Sequence, residues 1–453
     1  MYRVLAVSLS GRLSRLKGFP SVDAPSATPD AGVRPPAAEG DVPTPTREAT
    51  LAELRERIQR TLERSVRASP RPELPRVDVD DLPFAKEDGE FGTLHVRTLR
   101  FGPSHRTGRA PVATAKGVSS EVLALLALDP AIAACDMTRA LYLDTETTGL
   151  SSGAGTVAFL VGLAFFDAEG WLVVEQLLVR NLGEEGPVLR RVDQRIREAS
   201  CLVTFNGKSF DLPVLRTRFV LAGMPWPEEP AHLDLVHVAR RLHKPRGLEC
   251  TLTGIERNVL GFERVDDVPS GQVSACYLHF LRSGDASALM GVVEHNAWDV
   301  VSMASLVGLY GQPMDATELV AEDLVGVART FRKAGRKEEA MVVAESAVER
   351  GGGNESLRAR AEIAKALGDR TKALADFESL AAAVDSGSVR LELAKLYEHF
   401  VKAPERAMAV TELGTGESDD RLAKRRRRLE GKIAKATDDP AQPTLPGVVA
   451  KKR

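Results

Sequence analysis

The stretch LYLDTETTGL, residues 141–150, is the most informative part of the chain, because two acidic residues directly follow a strand-like apolar start. Its apolar start is typical of a strand buried on both sides. Successive side chains on a strand point to opposite faces, so Asp144 and Glu146 are expected to share one face. Such a pair alone is common at protein surfaces, but charged groups at the end of a buried strand need partners.

Two later stretches of the chain carry further residues that can join this pair. VTFNGKSFDLPVL, residues 203–215, places Asp211 between a strand-like and a helix-like segment. DASALMGVVEHNAWDVVSMASLVGLYG, residues 285–311, has the apolar periodicity of a long helix and contains His295 and Asp299. Residues four apart stack on one helical face, so His295 and Asp299 point the same way.

The four carboxylates predict a cation site if the fold brings them together. Like-charged carboxylates repel one another unless a positive charge lies among them. A pair of hard, oxygen-preferring cations such as Mg²⁺ or Mn²⁺ would meet that need. Each residue also has a simpler interpretation: Asp211 as a helix N-cap, Asp299 as a solvated helix residue and His295 as a core histidine. The apolar character of the strand and the helix favours the joint site, because an unpaired charge there is costly.

These stretches resemble the three exonuclease motifs of the DEDD superfamily, which has a ribonuclease H-like fold. The motifs are DTETTGL, TFNGKSFD and HNAWD. The sequence is similar in particular to the YprB-like ribonuclease H-like group, from Ala140 to Tyr310 and more weakly from Leu82. Supporting stretches are GAGTVAFLVGLAFF, HLDLVHVARRL, CTLTGIERNVLGFERVDD and EHNAWDVVSMASL.

The resemblance implies two-metal hydrolysis of phosphodiester bonds, typically from a 3′ end. It assigns the binding of two Mg²⁺ or Mn²⁺ ions to Asp144, Glu146, Asp211 and Asp299, and the role of general base to His295. Two such ions clamp the attacking and leaving oxygens of an in-line displacement. A neutral imidazole can accept a proton from the attacking water near neutral pH. The chain departs from the family pattern in one respect: three residues separate the histidine from the last aspartate, which is the spacing of members that use tyrosine.

Residues beside these motifs are candidates for binding the nucleic acid. Thr147, Thr148 and Gly149 close the first motif, and the resemblance implies backbone contact with a terminal nucleotide there. Asn206 and Lys208 flank a glycine that suits a tight strand-to-helix turn. Lys208 either binds a phosphate as a point charge or remains solvated, and the sequence favours neither.

Zinc is a weaker alternative because its usual ligands are dispersed along the chain. Structural zinc sites need clustered thiolates or imidazoles. On one helix, His232, His237 and His243 would point in different directions. The four cysteines stand in separate segments, without a CxxC pair: Cys135, Cys201, Cys250 and Cys276.

Composition indicates a globular protein of the cytoplasm. Hydrophobic residues make up 43% of the 453 residues, and 4 scattered cysteines suit a reducing compartment. No signal peptide, transmembrane span or membrane partner is expected. The formal net charge of −2 gives no global attraction for nucleic acid. Any attraction for nucleic acid must therefore come from local basic patches. The candidates are Arg240, Arg241, Lys244, Arg246 and the run Lys424–Arg428. The alternative is that these residues form solvated helix faces.

The predicted fold class is α/β: a ribonuclease H-like mixed sheet flanked by helices, followed by an all-α helical-repeat domain. We expect a largely disordered Pro- and Ala-rich segment with one amphipathic helix over 1–80, then an extension that packs on the catalytic domain over 81–136. The exonuclease domain is expected over 137–312, as an antiparallel meander followed by helical crossovers. Tetratricopeptide-like repeats are expected over 318–436, and a disordered basic tail over 437–453.

The repeat prediction comes from small residues at a fixed interval. Ala328, Ala361 and Ala394 recur every 33 residues, and Gly335 and Gly368 have the same spacing. This resembles a tetratricopeptide repeat, in which small residues let paired helices approach and glycine opens the turn between them. An ordinary Ala-rich helical bundle is the alternative. Repeats of this kind usually bind a protein partner or pack against another domain.

Two functions of different classes remain open on the sequence alone. The first is a metal-dependent 3′–5′ exonuclease, or an endonuclease that uses the same carboxylates. The second is a catalytically inactive ribonuclease H-like scaffold or nucleic-acid-binding module whose repeats bind protein partners. The presence of all four carboxylates and a candidate base favours the exonuclease. The sequence does not decide between RNA and DNA, because contacts to a 2′-hydroxyl cannot be placed.

Overall fold

The structure of the chain is a computed structural model that describes residues 82–149 and 153–437. The described residues all lie in one compact unit, Val77–Arg453. The segment 1–80, with its predicted disorder and amphipathic helix, and the tail after Thr437 lie outside the described residues.

The strands of the described residues are β1 (Ala85–Gly89), β2 (Gly92–Phe101), β3 (Arg106–Thr107), β4 (Ala110–Pro111), β5 (Ala140–Thr147), β6 (Ala158–Phe166), β7 (Leu172–Leu178), β8 (Cys201–Thr204) and β9 (Ala231–Asp234). Seven of these strands form one mixed sheet in the order β1-β2-β7-β6-β5-β8-β9, while β3 and β4 pair separately. Strand β5 pairs antiparallel with β6 and parallel with β8, so the predicted antiparallel meander and mixed sheet are confirmed.

The segment before the first motif contributes strands to this sheet. Strand β2 pairs antiparallel with β7, from His95 opposite Leu178 to Phe101 opposite Leu172. Strand β1 then pairs with β2 at the edge. The extension expected over 81–136 is therefore continuous with the sheet that carries the acidic residues.

Helices cover the sheet and then continue alone. The α-helices of the described residues are α1 (Ser120–Ala127), α2 (Gly186–Glu198), α3 (Asp211–Leu221), α4 (Leu235–His243), α5 (Leu252–Ile255), α6 (Val273–Ser283), α7 (Ser287–Tyr310), α8 (Ala321–Lys333), α9 (Lys337–Glu349), α10 (Gly353–Leu367), α11 (Arg370–Ala383), α12 (Gly387–Leu396), α13 (Pro404–Glu412) and α14 (Asp419–Thr437). None of these helices is both long and apolar enough to span a lipid bilayer.

Alternate side chains of β5 enter two different hydrophobic cores, one on each face of the sheet. Tyr142 packs in one core and Leu143 in the other. Helix α7 contributes to both, with Leu289 in the Leu143 core and Val300 in the Tyr142 core. The long helix predicted from apolar periodicity is confirmed, and it packs against strands β5, β6 and β7.

The chain after α7 consists of helices α8 to α14 in the described residues, so the predicted all-α region is confirmed. Ala328, Ala361 and Ala394 are fully buried. Gly335 and Gly368, in the turns after α8 and α10, have positive φ angles of 86° and 89°. Buried small residues and left-handed glycines suit closely paired helices. Membership of the tetratricopeptide class stays a prediction.

Buried contacts join α8 to the sheet region. His243, at the end of α4, contacts Asp323 Oδ1 through Nδ1 and the Tyr310 hydroxyl through Nε2, both at 2.9 Å. Gly326 on α8 lies against the backbone of α4. A Cβ added to it would lie 2.6 Å from Cα and 2.8 Å from the carbonyl oxygen of Leu242. The helical and sheet regions therefore share one tightly packed interface.

We expect Gly326→Ala to destabilise the protein by about 1–3 kcal/mol, because the added methyl group overlaps backbone atoms of α4. Urea or thermal unfolding measures the change. Gly431→Ala is the matched control, since Gly431 is exposed on α14 and an added Cβ there meets nothing within 4 Å. Helix propensity alone should make the control more stable by up to about 1 kcal/mol. Equal effects of the two substitutions would contradict the close approach of α8 to α4.

Candidate functional site

Strand β5 directs Asp144 and Glu146 toward helix α7, as the alternation of the strand predicts. Asp144 Oδ2 accepts a hydrogen bond from Nδ2 of Asn296 at 2.9 Å. Glu146 Oε1 lies 3.9 Å from Nε2 of His295. The pairing of β5 with β6 shifts register between Glu146 and Thr147. Irregular pairing of this kind re-aims side chains at the end of a strand.

Asp211 is buried beside the same strand. Its Oδ1 accepts hydrogen bonds from the backbone N–H of Thr145 at 3.0 Å and from the Thr145 hydroxyl at 2.6 Å. The cap residue of α3 is Phe210, and Asp211 is the first helical residue. The interpretation of Asp211 as an N-cap is therefore wrong. Its carboxylate instead accepts hydrogen bonds from Thr145 on β5.

Helix α7 brings His295 and Asp299 to the acidic end of β5. Nε2 of His295 lies 3.5 Å from Asp299 Oδ2, so the predicted common face is confirmed. One ligand atom from each of Glu146, His295 and Asp299 lies within 4.8 Å of the others. A single cation can bridge side chains at this separation.

Asp267 fixes the orientation of the His295 ring. Its Oδ1 lies 2.6 Å from Nδ1 of His295. An ionised carboxylate can only accept a hydrogen bond, so this short contact places a proton on Nδ1, which donates to Asp267. The guanidinium of Arg264 also lies 3.2 Å from Nδ1, but both groups are then donors, so no hydrogen bond joins them. Nε2 is the nitrogen that faces Glu146 and Asp299.

Arg264 supplies a positive charge inside the acidic cluster. Its side chain is only 5% exposed, and it donates to both oxygens of buried Glu256 at 2.6 and 2.8 Å. It also donates to Oδ1 of Asp299. The chain itself therefore neutralises part of the negative charge, at Asp299, in addition to any charge that bound cations would supply.

The other carboxylates are buried close to one another. Burial raises the pKa of Asp144 well above its usual range, and the charges of Asp299, Asp211 and Glu146 add to the effect. Burial also raises the pKa of Glu146 to about 8 and that of Asp211 to about 6. For His295, burial lowers the pKa, but the surrounding carboxylates outweigh it and raise the pKa to about 9. Without cations, the site therefore holds protons that a divalent ion would displace.

Asp234, at the end of β9, holds the turn that carries Asn206 and Lys208. Its carboxylate accepts hydrogen bonds from the backbone N–H of Asn206 at 2.7 Å and of Lys208 at 3.1 Å. Asn206 has a φ of 70°, in the left-handed region. Both side chains are exposed on this preorganised turn. Their contact with nucleic acid stays a prediction.

Thr147 and Thr148 make local hydrogen bonds where the first motif ends. The Thr147 hydroxyl donates to the carbonyl of Gly149 at 2.7 Å. The Thr148 hydroxyl accepts from the backbone N–H of Val157 at 3.0 Å. These hydrogen bonds shape the loop. The contact of Thr147, Thr148 and Gly149 with a terminal nucleotide stays a prediction.

Two of the three histidines considered for zinc, His232 and His243, have other partners. His232 lies on β9, so the assumption that it shares a helix with His237 and His243 is wrong. Asp234 caps α4 and begins the helix after His232. Burial lowers the pKa of His232 to about 3, and its neutral ring lies 2.8 Å from the Thr204 hydroxyl. Within the described residues, the one cluster of three metal-ligating side chains is Glu146, His295 and Asp299.

Intramolecular contacts occupy part of both basic patches. Arg425 donates to both oxygens of Glu417 at 2.7 and 2.9 Å, and Arg428 to both oxygens of Glu398 at 2.6 and 2.8 Å. Arg241 donates to two backbone carbonyls at 2.9 and 2.8 Å. The cations that stay exposed include Arg240, Lys244, Lys424, Arg426 and Arg427.

Several residues of the site were not predicted from the sequence. Arg264 and Asp267 lie in the stretch GFERVDD, where an irregular backbone gives no periodic signal. Glu256 begins a π-helical turn, Glu256–Leu260, that no sequence pattern indicated. Asn296 follows His295 in the sequence, but the helical pattern gave no sign of a role for it in the site. Only the resemblance of these stretches to the family pointed toward the site.

The donor set suits hard divalent cations. It consists of carboxylate oxygens with one imidazole nitrogen, and Mg²⁺ and Mn²⁺ prefer oxygen ligands. Asp144 and Asp211 take hydrogen bonds from the neutral donors Asn296 and Thr145, which leave their charge in place. The structure brings ligand atoms of Glu146, His295 and Asp299 within reach of one ion. Asp144 and Asp211 lie outside that group of three, and their part in metal binding stays a prediction.

Comparison with known proteins identifies the class of this domain. Residues 141–310 match the family model described as the RNase_H superfamily. The ribonuclease H-like resemblance inferred from the motifs is confirmed for this segment, and a helical region follows it along the chain. An uncharacterized protein of Bacillus subtilis, YprB, is 32% identical over 243 residues, which cover 50% of this chain and 57% of that protein. The chain thus spans little more than half the length of this curated relative.

A similar solved structure is the family B DNA polymerase from the hyperthermophilic archaeon Pyrobaculum calidifontis. The two chains share 15% sequence identity, with 43% of this chain and 29% of that chain covered and a TM-score of 0.30. A similarity at this level carries no argument about function.

We expect Asp144→Asn to make the metal-free protein more heat-stable at pH 9, above the pKa of about 8 of Glu146. Carboxylates with raised pKa values stabilise the fold when protonated, and this contribution is lost as pH rises through those values. Removing one charge then raises Tm by about 2 °C or more for each kcal/mol of repulsion relieved. Mg²⁺ should raise Tm of the unsubstituted protein and have less effect on the variant.

The matched control for this experiment is Asp315→Asn, the same chemical change at an exposed residue. It should leave both Tm and the response to Mg²⁺ unchanged. A lower Tm for Asp144→Asn in the absence of metal would show that the carboxylates do not repel one another as described.

Proposed function

We propose that this protein is a metal-dependent nuclease, specifically a 3′–5′ exonuclease that hydrolyses phosphodiester bonds with two bound Mg²⁺ or Mn²⁺ ions. The observation that carries the proposal is that ligand atoms of Glu146, His295 and Asp299 lie within 4.8 Å of one another. Asp144 lies on the same strand as Glu146. A ribonuclease H-like domain over 141–310 supports it. A structural role alone gives no reason to bury mutually repelling carboxylates.

Each side chain has a proposed part in the reaction. Divalent cations, when bound, would neutralise the phosphate and lower the pKa of water. Asp144, Glu146, Asp211 and Asp299 would hold these ions. Burial favours the binding of a cation, because it leaves the ionised carboxylates short of solvation until a positive charge arrives.

His295 is the proposed general base, and the contact with Asp267 determines which nitrogen acts. Because Nδ1–H donates to Asp267 at 2.6 Å, Nε2 has the lone pair that can accept a proton from the attacking water. Nε2 also faces the cluster, 3.5 Å from Asp299 Oδ2. Asp267 then stabilises the imidazolium that forms.

We propose that Thr147, Thr148 and Gly149 approach the terminal nucleotide, and that Asn206 and Lys208 contact the backbone from the exposed turn after β8. The helical region, 318–436, is proposed to bind a protein partner or to guide the substrate. A cytoplasmic location is proposed because all four cysteines are free thiols.

We predict that the purified full chain releases nucleotides stepwise from the 3′ end of 5′-labelled single-stranded RNA or DNA, and only with Mg²⁺ or Mn²⁺. Asp299→Ala should reduce the rate by more than the roughly 10–100-fold typical of residues that merely support metal ligands. Asp315→Ala, at an exposed position, is the control and should retain activity. Electrophoresis of the labelled products, with single-stranded and duplex substrates compared, measures both rate and direction.

A circular single strand distinguishes the alternatives. An exonuclease leaves the circle intact, whereas an endonuclease using the same carboxylates cuts it. Absence of hydrolysis from every substrate, in a protein that binds Mn²⁺, would instead favour the inactive scaffold.

We predict that the rate of hydrolysis rises with pH as His295 loses its proton, with a midpoint at or below the metal-free pKa of about 9. Cations would lower this midpoint, because they offset the carboxylates that raise the pKa. Asp267→Asn should shift the rising limb further toward low pH, since the hydrogen bond and charge of Asp267 favour the protonated ring. A pH–rate profile measures the shift. An identical rising limb in His295→Ala would exclude His295 as the base.

A further inference from the structure

A row of residues crosses the sheet at the level of Asp144. In the pairing of the strands, Asp144 on β5 lies opposite Gly162 on β6, Gly162 lies opposite Gln176 on β7, and Gln176 lies opposite Arg97 on β2. Residues in register across a sheet share one face. The row therefore runs from the edge region of the sheet to the proposed metal ligand.

Asn296 of helix α7 lies over the one position of this row that has no side chain. A Cβ added at Gly162 would lie 2.9 Å from both Cγ and Nδ2 of Asn296, and closer still to its Oδ1. Gly162 has ordinary extended backbone pairing within β6. The glycine is thus needed for space, because it lets the buried amide of Asn296 enter the row.

The hydrogen bonds along the row have a fixed direction. Arg97 can only donate, and its NH1 donates to Oε1 of Gln176 at 3.2 Å. Nε2 of Gln176 must then be its donor end, and it donates to Oδ1 of Asn296 at 3.0 Å and to the carbonyl of Val293 at 2.7 Å. Nδ2 of Asn296 in turn donates to Oδ2 of Asp144 at 2.9 Å.

The same contacts fix the position of α7 on the sheet. Arg97 also forms an ion pair with Glu294 at 2.7 Å, and Gln176 holds the backbone of Val293. Val293 and Glu294 immediately precede His295 on α7. Gln176 and Asn296 are fully buried, so an amide turned the wrong way would leave polar atoms unpaired. The row therefore aligns the helix that carries His295 and Asp299 with the strand that carries Asp144.

We propose that Asn296 is a positioning residue for the metal centre, held by Gln176 and Arg97 in the space left by Gly162, and that it acts by keeping one oxygen of Asp144 fixed. This inference rests on the proposed metal binding, not on the direction or substrate of hydrolysis. Asn296 is a neutral donor, so it orients the carboxylate without replacing a cation. Side chains that support metal ligands in this way typically account for about 10–100-fold in metal affinity.

The experiment compares Mn²⁺ binding by the full chain and four variants, followed by electron paramagnetic resonance without nucleic acid. The variants are Asn296→Ala, Gly162→Ala, the double variant and Ser305→Ala. Ser305 is the control, since it is fully buried on the same helix and its hydroxyl has no hydrogen-bond partner in the part of the chain that the structure describes. Circular dichroism melts set a temperature at which every protein compared is folded.

We expect Asn296→Ala and Gly162→Ala each to weaken Mn²⁺ binding by about 10-fold or more, and Ser305→Ala to leave it unchanged. The double variant should bind about as weakly as the worse single variant, because both changes remove the same hydrogen bond to Asp144. A merely structural role would lower the melting temperature but leave the affinity of the folded protein intact.

The outcomes separate this inference from the proposed nuclease. Unchanged Mn²⁺ affinity in Asn296→Ala overturns the positioning role, even if the protein is a nuclease. Losses that add in the double variant also overturn it, because Gly162 and Asn296 would then act separately. If Gly162→Ala does not fold, Asn296→Ala still decides. If Asn296→Ala binds Mn²⁺ more weakly but the wild-type chain hydrolyses no nucleic acid, the positioning role is supported and the nuclease proposal is overturned. If the wild-type chain binds no Mn²⁺, both proposals are overturned.

Discussion

The repulsion among buried carboxylates at the end of β5 is the constraint on which the rest of the site depends. Asp144 and Asp211 receive hydrogen bonds from Asn296 and Thr145, neutral donors that orient an anion without neutralising it. Arg264 places a fixed positive charge in direct contact with Asp299, and the same charge also acts on Glu146. The fold therefore accepts an unfavourable charge distribution, a feature that is common where a protein binds cations.

The surrounding structure holds these groups in place. Strand β2, from upstream of the first motif, supplies Arg97 to the row that aligns α7 with the sheet. A second set of residues, Glu256, Arg264 and Asp267, orients Asp299 and His295. Rigid support of this kind is what metal ligands need, because small displacements alter affinity and rate.

The sequence predicted the parts of this arrangement that follow from periodicity. The period of two in β5 placed Asp144 and Glu146 together, and the spacing of four in α7 did the same for His295 and Asp299. It did not predict Arg264 or Asp267, which lie in an irregular segment where no repeat links position to direction. The role of Gly162 was also invisible, since it depends on a helix about 130 residues later that lies over the strand. The placement of His232 on a helix was wrong because the capping residue Asp234 was not recognised.

The most direct test of the cation site is X-ray diffraction from crystals grown with Mn²⁺, with anomalous differences recorded near the manganese edge. We expect two anomalous peaks among the carboxylates of Asp144, Glu146, Asp211 and Asp299, with Asn296 still donating to Asp144. Crystals that contain Mn²⁺ in solution but show no peak at these four residues, or show one only elsewhere on the protein, would contradict it.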